Sequence, residues 1–139
     1  QRGILCNRIS FGTTKINLFS VHLSTYQEER ILAAKEIYKI ISKIDPNELI
    51  IMGGDFNVGV TRLGKGQYIF EPSETYEEYE ILKKVLEQLP NKKDTWFSNL
   101  GQGCIDTIFY SKDIRLNSYE TIEVGGISDH NAVYAEFDI

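Results

Sequence analysis

The sequence predicts an α/β domain. Three observations carry that reading. An apolar segment over Lys15–Leu23 is followed by a helical pattern and then by a second apolar segment, Leu49-Ile50-Ile51-Met52, at the spacing of a strand–helix–strand crossover. A second helical stripe runs from Tyr79 to Leu89, and most of the chain beyond it alternates as strands do. The 139 residues, 42% of them hydrophobic, suit one globular domain with a sizeable core.

Ile4–Phe11 and Lys15–Leu23 read as two strands joined by a short turn at Gly12. In the second, Phe19, Val21 and Leu23 share one face, and Ile16, Leu18, Ser20 and His22 share the other. Apolar residues on both faces predict a strand covered on both sides. Thr25-Tyr26-Gln27-Glu28 has capping-box spacing. Ile31, Ala34, Tyr38 and Ile41 then recur at helical intervals, with Ile37, Ile40 and Ile44 beside them, and Pro46 marks the exit. The strand at 49–52 ends at Gly53-Gly54. Residues 58–72, with Gly59, Gly64, Gly66 and Pro72, read as a long loop. Ser73 or Thr75 is placed to cap a second helix carrying Tyr79, Leu82, Val85, Leu86 and Leu89, which Pro90 ends. Strands are predicted over Thr95–Ser98, Ile105–Tyr110, Ser118–Val124 and Asn131–Ile139. In the last, Val133, Ala135, Phe137 and Ile139 face one way and Tyr134, Glu136 and Asp138 the other.

The formal net charge of -5 argues against a generic nucleic-acid coat, which wants a basic face. It leaves nucleic acid open as a substrate, because a metal ion supplies positive charge locally. Cys6 and Cys104 lack metal-ligand spacing and read as two small half-buried thiols. No apolar run is long enough to span a bilayer. The chain begins Gln1-Arg2-Gly3 without an initiator Met and runs straight into a strand, as a piece of a longer protein would.

Four polar spots break the apolar logic at strand ends or edges. They are His22, Asp55 with Asn57, Asp106, and Ser128-Asp129-His130. Each has an ordinary structural explanation. His22 suits a satisfied core histidine, Asp55-Phe56-Asn57 an Asx-turn, Asp106 a structural ion pair, and Ser128-Asp129 a turn. Taken together they point elsewhere. A carboxylate or imidazole in apolar surroundings costs several kcal/mol unless partnered, and one shared polar site partners all of them. If the extended geometry persists past Gly54, Asp55 and Asn57 point to the same side and can hold a water or a metal ion. A carboxylate can fix the tautomer of a histidine, and another can bind Mg²⁺ through oxygen. These are the parts for in-line attack of water on a phosphate ester.

In order, His22-Leu23-Ser24, Gly54-Asp55-Phe56-Asn57, Ile105-Asp106 before an apolar strand, and Ser128-Asp129-His130 resemble the C-terminal half of the endonuclease/exonuclease/phosphatase superfamily. The match runs from about residue 4 to the end. The resemblance implies half of a four-layer α/β sandwich of the deoxyribonuclease-I-like type, with a mixed, mostly antiparallel sheet flanked by helices. It implies a phosphoesterase using Mg²⁺ or Mn²⁺. Asp55 would orient or deprotonate the attacking water, and Asn57 would help fix water or phosphate. His130 would stabilise charge on the scissile phosphate, Asp106 would hold His130, Asp129 would bind the metal, and His22 would contact a phosphate oxygen. An Asn and a metal-binding Glu expected in an N-terminal half have no counterpart in this chain. The resemblance therefore implies that residues 1–139 are one partial domain, inactive alone. Substrates within the superfamily include nucleic acids, phosphoinositides and sphingomyelin. His22-Leu23-Ser24 followed by Glu28-Glu29-Arg30 is more similar to the bacterial hydrolase and sphingomyelinase-like branches. The alternative is a non-catalytic binding or scaffolding member of the same fold. Arg62 and Lys65 either grip a phosphate or are simply solvated.

Overall fold

A computed structural model describes residues 2–139; Gln1, the first residue of the predicted domain, lies outside the described residues. The elements are β1 (Gly3–Phe11), β2 (Thr14–His22), α1 (Gln27–Ile41), β3 (Leu49–Asp55), β4 (Val60–Gly64), β5 (Gln67–Phe70), α2 (Glu77–Lys83), β6 (Leu86–Gln88), β7 (Trp96–Ser98), β8 (Gly101–Gly103), β9 (Asp106–Ser111), β10 (Arg115–Ile122) and β11 (Ala132–Asp138). Five strands form one sheet in the order β1-β2-β3-β9-β6. Only the β2–β3 pair is parallel, as the α1 crossover requires; the other pairs are antiparallel. The predicted α/β class with a mostly antiparallel mixed sheet is the class observed.

The sheet has two unlike faces. Phe19, Val21, Ile50, Met52 and Phe109 point to the helices and close a core with Ala34, Ile37 and Ile41 of α1 and Tyr79 and Leu82 of α2. Met52, Leu82, Phe56 and Phe109 are completely buried. The Phe56 and Phe109 rings meet at 5.3 Å, and Tyr79 closes on both at 6.0 Å and 5.6 Å. Truncating a ring so placed to Ala costs about 3–5 kcal/mol. On the opposite face Tyr110 packs against Phe137 of the β10–β11 hairpin, the rings tilted at 50° with centroids 4.9 Å apart. Away from that hairpin cover is uneven. Ile16 is buried, Leu18 is half-buried, and Ser20 and His22 are exposed, so β2 is not covered on both sides along its length. Every residue of β1 is exposed, Phe11 to 76% and Leu5 to 62%.

Several local expectations change. Helix α1 starts at Gln27 with Tyr26 as its cap and no capping side chain. The Thr25 capping box does not form, because the Ser24 hydroxyl already turns the chain by accepting the Tyr26 N–H at 3.1 Å. The buried stripe of α1 keeps Ala34, Ile37 and Ile41 from the predicted one and adds Arg30; Ile31, Tyr38 and Ile44 pack at its margin half-buried, and Ile40 is 45% exposed. The expected long loop at 58–72 is largely the β4–β5 hairpin, turned through Gly64, Lys65 and Gly66, all at positive φ. The second helix is only two turns long and capped at Tyr76, not at Ser73 or Thr75. Leu86 and Leu89 are buried as expected, but Leu86 lies in β6 and Leu89 follows it, hydrogen-bonded to Ile108. An alternating Leu86-Glu87-Gln88 pairs with β9 and gains sheet hydrogen bonds, which a third helical turn before Pro90 would not provide. Both cysteines are free; Cys6 is exposed on β1 and Cys104 is half-buried.

Candidate active site

Three adjacent strands end together. In the β2–β3 register His22 stands beside Asp55, and in the β3–β9 register Asp55 stands beside Asp106. Side chains paired in this way across neighbouring strands share a face. The sheet thus lines up an imidazole and two carboxylates before any loop contributes. Gly54 makes the close approach possible. Its φ is +146°, and a Cβ there would collide with the Val21 carbonyl.

Beyond Asp55 the strand ends. Asn57 adopts φ +51°, so the extended geometry expected to bring Asp55 and Asn57 together does not persist. They converge through a turn instead. The Asn57 N–H donates to Asp55 Oδ1 at 2.8 Å, and Asn57 Nδ2 donates to Asp55 Oδ2 at 3.1 Å and to the Leu23 carbonyl at 3.0 Å. The Asx-turn and the polar site are therefore the same structure. Leu23 N–H donates to the Asp55 carbonyl, and Phe56 N–H to the Ile105 carbonyl, both at 2.9 Å. These bonds rivet the ends of β2, β3 and β9.

Two histidine–carboxylate pairs result. His130 Nδ1 lies 2.8 Å from Asp106 Oδ2, which leaves Nε2 as the nitrogen available to a ligand. His22 Nε2 lies 3.3 Å from Asp55 Oδ2. His130 comes from the segment before β11 and is brought in by a bridge to Trp96. Asp55, Asn57, His22, His130 and Asp129 line one cavity of about 480 Å³, which the β4–β5 hairpin bounds through Gly66 and Tyr68. The site therefore unites the six residues to which the resemblance assigns roles, with Asp106 entering through its bond to His130. The Asp129 side chain is exposed, and its carbonyl is held by the Phe97 N–H at 2.9 Å.

The electrostatics follow from this crowding. Burial raises the Asp55 carboxyl above its ordinary value, the Asp106 charge raises it further, and the Asn57 N–H and the two histidines pull it back. The hydrogen bond that His130 donates to Asp106 holds the imidazole above the usual histidine value against burial, with the charges of Asp106, Asp55 and Asp129 adding to it.

Two features escaped the sequence reading. Arg30, in α1, is 3% exposed and donates from Nε to Glu78 at 2.8 Å and from Nη1 to the carbonyls of Val60 at 3.1 Å and Ser24 at 3.4 Å. It ties the segments that follow His22 and Asn57 to α2. Thr95 is completely buried, and its hydroxyl oxygen accepts the Asp106 N–H at 2.9 Å. Arg62, left between two roles by the sequence, donates to the Tyr26 hydroxyl at 3.2 Å on the exposed hairpin. Among the described residues no three His, Cys, Asp or Glu side chains converge as a metal cage. Mg²⁺, however, takes oxygen donors and usually one or two carboxylates plus water, and Asp129 offers such an oxygen to the cavity.

No protein-family model and no curated protein matches the sequence. Solved structures do match. TDP2 of D. rerio complexed with single strand DNA product superposes with a TM-score of 0.75 at 16% identity, over 99% of this chain and 62% of that one. An endonuclease/exonuclease/phosphatase from Bacteroides vulgatus gives 0.70 at 20% identity, over 92% and 51%. Beta toxin from Staphylococcus aureus gives 0.64 at 19% identity, over 97% and 57%. The chain thus spans between 51% and 62% of the length of these structures. The likeness extends over at least 92% of this chain in each case, and its fold is the deoxyribonuclease-I-like fold.

Proposed function

We propose that the chain is the water-activating part of a divalent-metal-dependent phosphoesterase. One observation carries this reading: two histidine–carboxylate pairs, at 2.8 Å and 3.3 Å, whose carboxylates stand on neighbouring strand ends, meet beside a single cavity. The solved structures of the same fold add support, since one holds a DNA product and another is named as an endonuclease/exonuclease/phosphatase.

Asp55 is the group that orients and deprotonates the attacking water, and burial and the Asp106 charge, by raising its carboxyl, make it a stronger base than a free carboxylate. Both Nδ2 hydrogens of Asn57 are committed to Asp55 and Leu23, so Asn57 acts by aiming Asp55 while its side-chain Oδ1 is left for water. His130, held by Asp106, presents Nε2 to the scissile phosphate and stabilises the charge that develops there. His22, 51% exposed at its side chain, reaches a second phosphate oxygen. Asp129, with donors from outside this chain, would hold Mg²⁺ or Mn²⁺, which neutralises phosphate charge when bound. The exposed Leu5, Ile9 and Phe11 on the sheet fit a missing second layer, so the reading includes an upstream half that completes the sandwich.

The substrate is a phosphate ester, with a nucleic acid, a phosphoinositide and a sphingomyelin-like lipid as the classes to compare. The test is an assay of the full-length protein with Mg²⁺ against DNA, RNA, a phosphoinositide and sphingomyelin. Hydrolysis of one class is expected, with little from residues 1–139 alone. No hydrolysis of any of them would favour a binding module; robust turnover by residues 1–139 would remove the upstream half from the proposal.

A further inference from the structure

The Asp106–His130 pair joins two segments that are distant in sequence, and a single buried residue lies between their backbones. Thr95 is 0% exposed. Its Oγ1 accepts the N–H of Ile105 at 3.0 Å and the N–H of Asp106 at 2.9 Å. Its carbonyl accepts the N–H of Asn131, the residue after His130, at 2.7 Å, and its own N–H donates to the Gly103 carbonyl at 2.9 Å. The two residues that follow continue the attachment. Trp96 bridges to His130, and the Phe97 N–H donates to the Asp129 carbonyl. One residue therefore fixes the backbone under the carboxylate with its side chain and the backbone beside the imidazole with its main chain.

We propose that Thr95 is a positioning residue that sets the geometry of the Asp106–His130 pair through its hydroxyl oxygen. The main-chain bonds of Thr95 survive any substitution that keeps the strand. The bonds to Ile105 and Asp106 need the oxygen. Two consecutive N–H groups aimed at one acceptor form a concavity that ordinarily collects an anion. Thr95 fills it with a neutral hydroxyl, so the Asp106 carboxylate is left facing His130. Without the oxygen, the Ile105–Asp106 peptide is still held by the Phe56 N–H on the Ile105 carbonyl and by β9 from Thr107 onward. The segment stays in place, and the aim of Asp106 loosens. Placement errors of about 1 Å at reacting groups cost on the order of 100-fold in rate.

The catalytic consequence rests on the phosphoesterase reading; the geometric claim does not. In the intact protein, Thr95→Val keeps the shape and removes the acceptor. It is expected to lower kcat about 10–100-fold with KM little changed, and to shift or broaden the downfield Nδ1–H resonance of His130. Thr95→Ser keeps the oxygen and restores both. A folded Thr95→Val protein with the original kcat and an unmoved resonance overturns the proposal. Should Thr95→Val fail to fold, amide exchange in the unsubstituted protein decides: Ile105 and Asp106 exchange as slowly as Thr107 if the clamp holds, and rapid exchange of either overturns it. Absence of turnover in the unsubstituted protein would refute the phosphoesterase reading alone, and the resonance would still judge the clamp.

Discussion

The two histidine–carboxylate pairs are built from the same residue types and differ in nearly everything else. Asp106–His130 is short, at 2.8 Å, uses Nδ1, and has the less exposed ring, 30% against 51% for His22. Its partners are held from outside by Thr95 and Trp96. His22–Asp55 is longer, at 3.3 Å, uses Nε2, and shares Asp55 with two bonds from Asn57. The contrast teaches that the same chemistry serves two purposes. A carboxylate dedicated to one imidazole fixes its tautomer and holds its proton. On the phosphoesterase reading proposed above, a carboxylate with several donors, largely buried and beside a second negative charge, serves as the base, and the half-exposed histidine near it is placed to meet a substrate.

The largest expected effect lies where the pairs meet the reaction. Asp55→Ala or His130→Ala should each lower kcat by about 10³-fold or more in the full-length protein, and the double variant should lose little beyond either single one. Near-additive losses in single-turnover kinetics would show that the two pairs act independently.

Asp106→Asn separates the pairs electrostatically. An amide cannot hold the His130 proton, so kcat should fall about 100-fold. The pH dependence should change as well. His130 in the folded protein binds its proton more tightly than the ordinary value of 6.5. The stability this contributes is complete below the unfolded pKa and is lost as pH rises through the raised folded one. Denaturant titrations across that range should show the loss in the original protein and not in Asp106→Asn. The same substitution removes a charge that raises Asp55, so the acid limb of the rate profile should move to lower pH.

His22→Ala should have the smallest effect on rate, about 10-fold, expressed more in KM than the losses at His130. A loss as large as that of His130→Ala would overturn the contrast drawn between the pairs.

Stability gives a separate comparison. Arg30 and Glu78 are 3% and 1% exposed, and Arg30→Met would leave a buried carboxylate without its cation. Losing one partner of such a pair costs about 3–5 kcal/mol, measurable by chemical denaturation. His22→Ala, at a half-exposed position, should change stability far less.

Much of this was legible from residues alone. The apolar strand Leu49–Met52, the helix with Ala34, Ile37 and Ile41, and the alternating last strand follow from periodicity, and they form as read. The six candidate residues could be grouped because polar groups at the ends of apolar strands need partners, and the fold brings them together. The rest was illegible for particular reasons. The β4–β5 hairpin hid behind glycines that serve turns and loops alike. Leu86 and Leu89 sit at spacings compatible with helix and strand, and only pairing with β9 separates the two. Arg30 occupies a helix position where a charged side chain would ordinarily face solvent. Its burial depends on Glu78, 48 residues away. Thr95 carried no signal, since threonine in a strand is unremarkable until its oxygen is seen under two amides.

Sequence by itself determined which residues are costly to bury alone and which segments are strands, because both depend on side-chain chemistry and local period. Tertiary structure decided which histidine takes which carboxylate. That choice follows from strand register and from the turn at Asn57. Both are settled by non-local hydrogen bonds across β2, β3 and β9, and no local pattern encodes them.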